Sequence, residues 1–283
     1  MKPQAKDAWR NDLVEPLVVP PMNFFDSVIG FVDKTLVITE LEVRRLRHDY
    51  TELIARAIQP ALWLLLFGEV FTKVRAISTG EVPYLDFMAP GILAQSVLFV
   101  AIFYGIGIIW ERDLGIVHKF LVSPTPRGAL VLGKALSAGI RSLSQAVIIY
   151  VLAALLGVHM NWHPAALLGV FATVILGAAL FSTVSLIIAA LVKTRERFMG
   201  MGQVLTMPLF FASNAIYPIS LMPTWLQIIS HINPLTYEVD ALRAFMLAHG
   251  TSTFGLALDL SFLLAATVVA VIIGAKLYPR VVM

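Results

Sequence analysis

The sequence predicts an all-α, polytopic membrane protein, and three observations predict it. Only 14% of the 283 residues are charged and 58% are hydrophobic, against about 25% charged in ordinary soluble domains. Mean hydropathy is +0.82. Apolar runs near the length of roughly 20 residues that crosses a bilayer core as a helix recur along the chain. There is no cysteine, which excludes a disulfide framework, a thiolate metal site and a cysteine nucleophile.

The elements follow in chain order. Lys2, Lys6 and Arg10 open the sequence, but Asp12, Glu15, Pro16, Pro20 and Pro21 follow where a signal peptide would place an apolar run. This stretch, to about residue 23, is expected to be extended and cytoplasmic. Over residues 24–52, Phe24, Val28, Phe31, Val32, Leu36, Leu41 and Leu46 recur at helical spacing, with Arg44, Arg45 and Arg47 behind them. That pattern predicts an amphipathic helix on the inner membrane surface; the alternative is a soluble helix packed on a partner. Residues 1–52 thus form an N-terminal segment and 53–283 a transmembrane domain. Six spans are predicted there, at about 53–72, 87–110, 136–157, 165–191, 199–219 and 256–278. Residues 220–250, broken at Pro223 and Pro234, predict two short re-entrant or interfacial helices, an outer hairpin before the last span.

Orientation follows from the basic residues. With the N-terminus inside, all but Lys73, Arg75 and Arg243 of the 21 Lys and Arg residues fall on cytoplasmic segments or adjoining helix ends. The bias predicts both termini in the cytoplasm.

Charged residues inside spans are functional candidates by default. Arg56, Glu69 and Asp259 lie near span ends, where side chains reach water, and a structural role is expected for all three. Span five and its outer edge carry Gln203, Thr206, Phe210, Phe211, Ser213 and Asn214. These either pack helices or line a path for an amphipathic substrate. His159 and His163 are too few for zinc, which takes three or four protein ligands; no metal site is expected.

The stretch at 111–135, ERDLGIVHKFLVSPTPRGALVLGKA, carries the most chemistry. Gly128 to Ala135 is one residue short of a P-loop, but Ala135 stands where Ser or Thr would hold magnesium, and no strand precedes it. Gly128 and Gly133 are more simply a helix start and a packing point. Glu111 to Val122 predicts a short helix along the cytoplasmic face, ended by Ser123-Pro124-Thr125-Pro126. On composition alone an ordinary cytoplasmic loop is the favoured reading of this stretch.

The stretch resembles the cytoplasmic segment of ABC-2 type permeases, the membrane subunits of a class of ATP-driven exporters. Glu111, Arg112, Gly115, Ser123, Pro124, Gly133 and Lys134 stand at the family's motif positions. Ile116 replaces a small hydroxyl residue and Phe120 a leucine. NPLTYEVDALR, with Asn233, Pro234, Tyr237, Asp240 and Arg243, resembles the family signature before the last span. The flavour is that of the daunorubicin-resistance and nodulation-type permeases.

The resemblance implies an exporter half in a prokaryotic cytoplasmic membrane, paired with a second permease subunit. Each half would dock on a separate ATPase chain that holds the ATP and magnesium; this chain would need no cofactor of its own and no nucleic acid. Residues 111–122 would be the coupling helix. Glu111 and Arg112 would set the contacts, Gly115 would allow close approach and Phe120 would fill a pocket. The substrate would be a drug, a lipid or a lipid-linked glycan. Alternatives are a polysaccharide or lipopolysaccharide exporter of the same family, a stand-alone channel, or an intramembrane enzyme. The last would need converging catalytic groups at one depth, and every His lies outside the predicted spans.

Overall fold

The structure is a computed structural model that describes residues 24–46, 58–74, 82–122, 125–192 and 194–281. Expectations for residues 1–23, Arg56, Ser123 and Pro124 fall outside these residues, as does the side chain of Glu69. Nearly all of the described chain is helical, and its extended pairing is a single antiparallel bridge between Met160 and Leu247.

Helix α1, Phe24–Leu46, is amphipathic in an informative direction. Val28, Val32, Leu36 and Leu41 face outward, whereas Thr35, Ile38, Thr39 and Glu42 are buried. An outward apolar stripe over a polar inner face suits a lipid environment rather than water. Helix α2 covers 58–74, with a π-helical stretch at Trp63–Gly68. Helices α3, Tyr84–Tyr104, and α4, Ile106–Asp113, run nearly continuously through Gly105. After a turn, α5 covers Ile116–Val122, and α6 covers Arg127–Leu155. Helix α7 is Pro164–Leu191, α8 is Arg195–Phe211, α9 is Thr224–Ile232, α10 is Pro234–Met246 and α11 is Leu256–Leu277.

Among the described residues, four helices are long and apolar enough to cross a membrane: Tyr84–Asp113, Arg127–Leu155, Pro164–Leu191 and Leu256–Val281. They correspond to the second, third, fourth and sixth expected spans. The described part of the first is α2, and the fifth corresponds to α8, which ends after 17 residues. Helix α6 begins well before the expected 136, because Pro126 caps it and nothing from Arg127 onward breaks the helix. The P-loop-like stretch is therefore the first two turns of that helix. The hairpin helices break as expected: Pro223 precedes α9, and Pro234 opens α10.

Helices α3 and α7 are mostly buried, α11 mostly exposed. The core centres on α3 and α7, with Met88, Ile92, Leu98, Val174 and Phe181 fully or almost fully buried. Helix α1 packs closely on α6 at Gly133. A Cβ there would sit 2.7 Å from Ile38 Cγ2 and 3.0 Å from the Thr35 carbonyl oxygen, and Thr39 donates a hydrogen bond to the Gly133 carbonyl at 3.2 Å. Gly133→Val should force these helices apart at a cost of about 1–3 kcal/mol. A lower melting midpoint of the detergent-solubilised variant is expected; an unchanged midpoint would contradict this packing.

Candidate functional site

The 111–122 segment is two pieces rather than one helix. Helix α4 carries Glu111 and Arg112 to its end at Asp113. The chain then turns at Leu114 and Gly115, whose φ of 70° is favourable only for a residue without a Cβ. A side chain at Gly115 would meet no neighbour, so this glycine serves the turn rather than a close approach within the subunit. Helix α5 follows.

The root of the segment holds a buried ion cluster. Lys134 Nζ on α6 donates to Glu111 Oε2 on α4 at 2.7 Å and to Glu42 Oε1 on α1 at 2.9 Å. All three residues are buried. Tyr104, the last residue of α3, donates to Glu42 Oε2 at 2.9 Å and meets Ser137 Oγ at 3.0 Å. The lysine that completed the P-loop-like pattern is thus committed to two carboxylates. Glu111, expected among the docking contacts, faces inward. Four helices meet at these charges, where burial is tolerable because each is paired.

Arg112 is partly exposed and donates to Asp113 Oδ1 at 3.0 Å. Asp113 also accepts from Arg195 at 2.7 Å, and the Arg195 guanidinium stacks over Trp110, 3.6 Å from the ring centroid. The segment's root is therefore also clamped to the start of α8. Phe120 is half-buried and packs inward with Ile38, Ile108 and Val117 in one apolar cluster, not outward as a free anchor. Among the described side chains of the segment, Leu114 and Val122 point outward, 69% and 86% exposed.

The 233–243 motif is a clamp. Asn233 Oδ1 caps α10 at the Leu235 N–H, 3.0 Å, while its Nδ2 donates to the Leu209 carbonyl at 2.7 Å, tying the hairpin to α8. Pro234 occupies the first turn, where no donor is needed. Tyr237 donates to the His231 carbonyl at 2.7 Å and stacks on Phe262 of α11. Asp240 accepts from the Thr253 and Phe254 N–H groups at 2.6 and 3.0 Å, and from the Ser252 and Thr253 hydroxyls. Arg243 donates to the Asn214 carbonyl at 2.9 Å and lies over the Phe87 ring. Burial pulls its guanidinium down to about 10, so it stays charged at neutral pH.

Asp240→Ala should take the acceptor from the Thr253 and Phe254 N–H groups and from the Thr253 hydroxyl, while Ser252 keeps Asp259. Thr253 is exposed and Phe254 half-buried, so water replaces part of what is lost; at about 0.5–1.5 kcal/mol for each net hydrogen bond, the subunit should melt lower and lose part of its yield in membranes. Wild-type yield and melting midpoint would refute the clamp.

Asp259 does not reach water as expected: it is fully buried and accepts from Ser252 at 2.7 Å. Glu238, which sequence reasoning did not single out, is fully buried with neither carboxylate oxygen hydrogen-bonded. Burial holds its carboxyl well above the usual carboxylate range.

The residues expected along a substrate path divide between surface and core, with Thr206, Phe210, Ser213 and Asn214 buried. Gln203 and Phe211 are exposed. Thr206 bonds back to the Gln203 carbonyl and Ser213 to that of Phe210. Phe210 packs edge-on to Trp63, and the Asn214 carbonyl serves Arg243. His159 pairs with Asp86 at 2.9 Å and His163 caps α7. Among the described residues no His, Asp and Glu cluster could hold a metal ion.

Sequence reasoning missed Glu42, Tyr104 and Arg195. A carboxylate 92 positions from its lysine leaves no local signal.

Residues 34–247 match the family model described as ABC-2 type transporter. A protein from Cyanophora paradoxa named as the transport permease ycf38 is 32% identical over 235 residues, covering 82% of this chain and 80% of its own. The daunorubicin resistance ABC transporter permease protein DrrB1 of Streptomyces coeruleorubidus is 29% identical over 211 residues, 74% of this chain and 72% of its own. Nodulation protein J of Rhizobium leguminosarum bv. trifolii is 26% identical over 199 residues, 70% of this chain and 74% of its own.

Proposed function

The chain belongs to the ABC-2 type transporter family, is a multi-pass membrane component of a transporter, and from that premise we propose that it is the permease half of an ATP-driven exporter. A separate ATPase subunit, holding ATP and magnesium, docks on the 111–122 segment, and two permease subunits form the membrane pathway. The observation that carries this reading is the cluster of Glu42, Lys134 and Glu111. It anchors the root of a short segment whose Leu114 and Val122 face outward. Such a segment transmits force, because its base is tied to α1, α4 and α6 while its tip is unburied.

In this arrangement the segment and both termini are cytoplasmic, α2 and α8 complete the six crossings, and α1 lies along the inner surface of the cell membrane. Residues 24–52 then act as the interface segment and 53–283 as the transmembrane domain. The cargo is hydrophobic or amphipathic, in keeping with a relative named for daunorubicin resistance. Because the chain has no cysteine, single cysteines report sidedness without background. Lys119→Cys should be shielded from an impermeant maleimide applied outside intact cells, whereas Trp162→Cys should react. The reverse pattern would overturn the orientation. Substrate-stimulated ATP hydrolysis by the chain reconstituted with its ATPase tests the function; hydrolysis indifferent to the chain would reject it.

A further inference from the structure

A cavity of about 450 Å³ opens between α2, α3 and α6, lined in part by Gln59, Gln95, Ser96, Phe99, Phe103 and Gln145. Its position is unusual for glutamine. Gln95 and Gln145 are 3% and 1% exposed and stand near the middle of two membrane-crossing helices. Gln95 Nε2 and both polar atoms of the Gln145 amide have no hydrogen-bond partner. An amide buried without a partner is costly, and two such amides from different helices border the same space. The Ser96 hydroxyl is satisfied by the Ile92 carbonyl at 2.8 Å, so the glutamines carry the unmet hydrogen bonding. Among the described lining residues no side chain is ionised. Phe99 and Phe103, with ring centroids 6.1 Å apart, supply an aromatic wall.

We propose that this cavity binds a neutral amphipathic molecule that offers a donor and an acceptor side by side, as an amide does, to Gln95 and Gln145, with a planar apolar body against Phe99 and Phe103. A carbonyl accepts from Gln95 or Gln145 Nε2, and an N–H donates to Gln145 Oε1. A charged ligand is disfavoured at this depth, because none of the described lining residues carries a charge to pair with it. The residues differ from the span-five set expected from sequence, so the site places cargo recognition on α3 and α6. The inference rests on the transport reading only in treating the bound molecule as cargo.

The test uses the full chain alone in phosphatidylcholine nanodiscs, with tritiated benzanilide as probe and trans-stilbene as its isostere without hydrogen-bonding groups. Empty nanodiscs correct for partition into lipid. Saturable benzanilide binding is expected, with stilbene competing at least about tenfold more weakly, the scale of one or two net hydrogen bonds. The Gln95→Leu, Gln145→Leu double variant should lose that preference. It should also melt no lower than the wild type, since it removes unpartnered buried amides. Equal competition by the two probes, a preference retained in the double variant, or a lowered melting midpoint showing that the protein itself satisfies the amides, would each overturn the proposal. No ATPase is present, so failure here leaves docking at 111–122 standing, and failure of docking leaves this measurement standing.

Discussion

Lys134→Leu should abolish transport and strip most of the subunit from the membrane. The lysine sits between Glu42 and Glu111 at 2.9 and 2.7 Å, and removing it leaves two carboxylates facing each other in a buried site. Breaking a buried pair by deleting one partner costs about 3–5 kcal/mol, a large share of the roughly 5–15 kcal/mol that holds a typical domain folded. The decisive comparison is the triple variant Glu42→Gln, Lys134→Met, Glu111→Gln. Without buried charge it should recover much of the yield, because well-packed neutral replacements of ion clusters are often tolerated. It should still transport poorly if the cluster ties the interface helix to the coupling segment. Melting midpoint and transport measured on the same preparations separate the two roles. Full transport by the triple variant would reduce the cluster to a structural detail.

Leu114→Asp combined with Val122→Asp should release the ATPase while leaving the permease folded. Both side chains are largely exposed, at 69% and 86%, so the fold has little to lose. Burying each against a partner would stabilise the complex by about 1.5–3 kcal/mol, and aspartate would add a desolvation cost. The expected loss of affinity is a hundredfold or more. Phe120→Ala should behave differently. Its ring packs inward with Ile108 and Val117, so its first effect is a lower melting midpoint. An ATPase that stays bound to the double variant and falls away with Phe120→Ala would return the anchor to Phe120.

Much of this architecture is legible in the sequence, for physical reasons that differ by element. The expected span at 165–191 and the helix at Pro164–Leu191 nearly coincide, because a long apolar run bounded by Pro164 leaves little room for error. The hairpin was marked by Pro223 and Pro234. Length signals failed at α8, where polar and aromatic residues beyond Phe211 form a turn instead of further helix. At the site, composition places Glu111 and Arg112 on one segment but cannot say which carboxylate turns inward. That depends on Glu42 and Lys134 arriving from α1 and α6. Nor does spacing distinguish a glycine needed for contact from Gly115, needed for its positive φ. The NPLTYEVDALR motif was visible as a pattern, but its work became clear only with the Leu209, Asn214 and Thr253 backbone groups in place.

If an ATPase seats on the 111–122 segment, a single-site photocrosslink should capture it there. Val122→Cys and His163→Cys, each in the otherwise cysteine-free chain, are labelled with benzophenone maleimide in membranes that also contain the ATPase subunit, and then irradiated. Position 122 should give a 1:1 adduct that binds a radioactive azido-ATP analogue, and position 163 none. An equal yield from both positions, an adduct that does not bind the nucleotide, or no adduct from position 122 while the complex remains intact would contradict this seating.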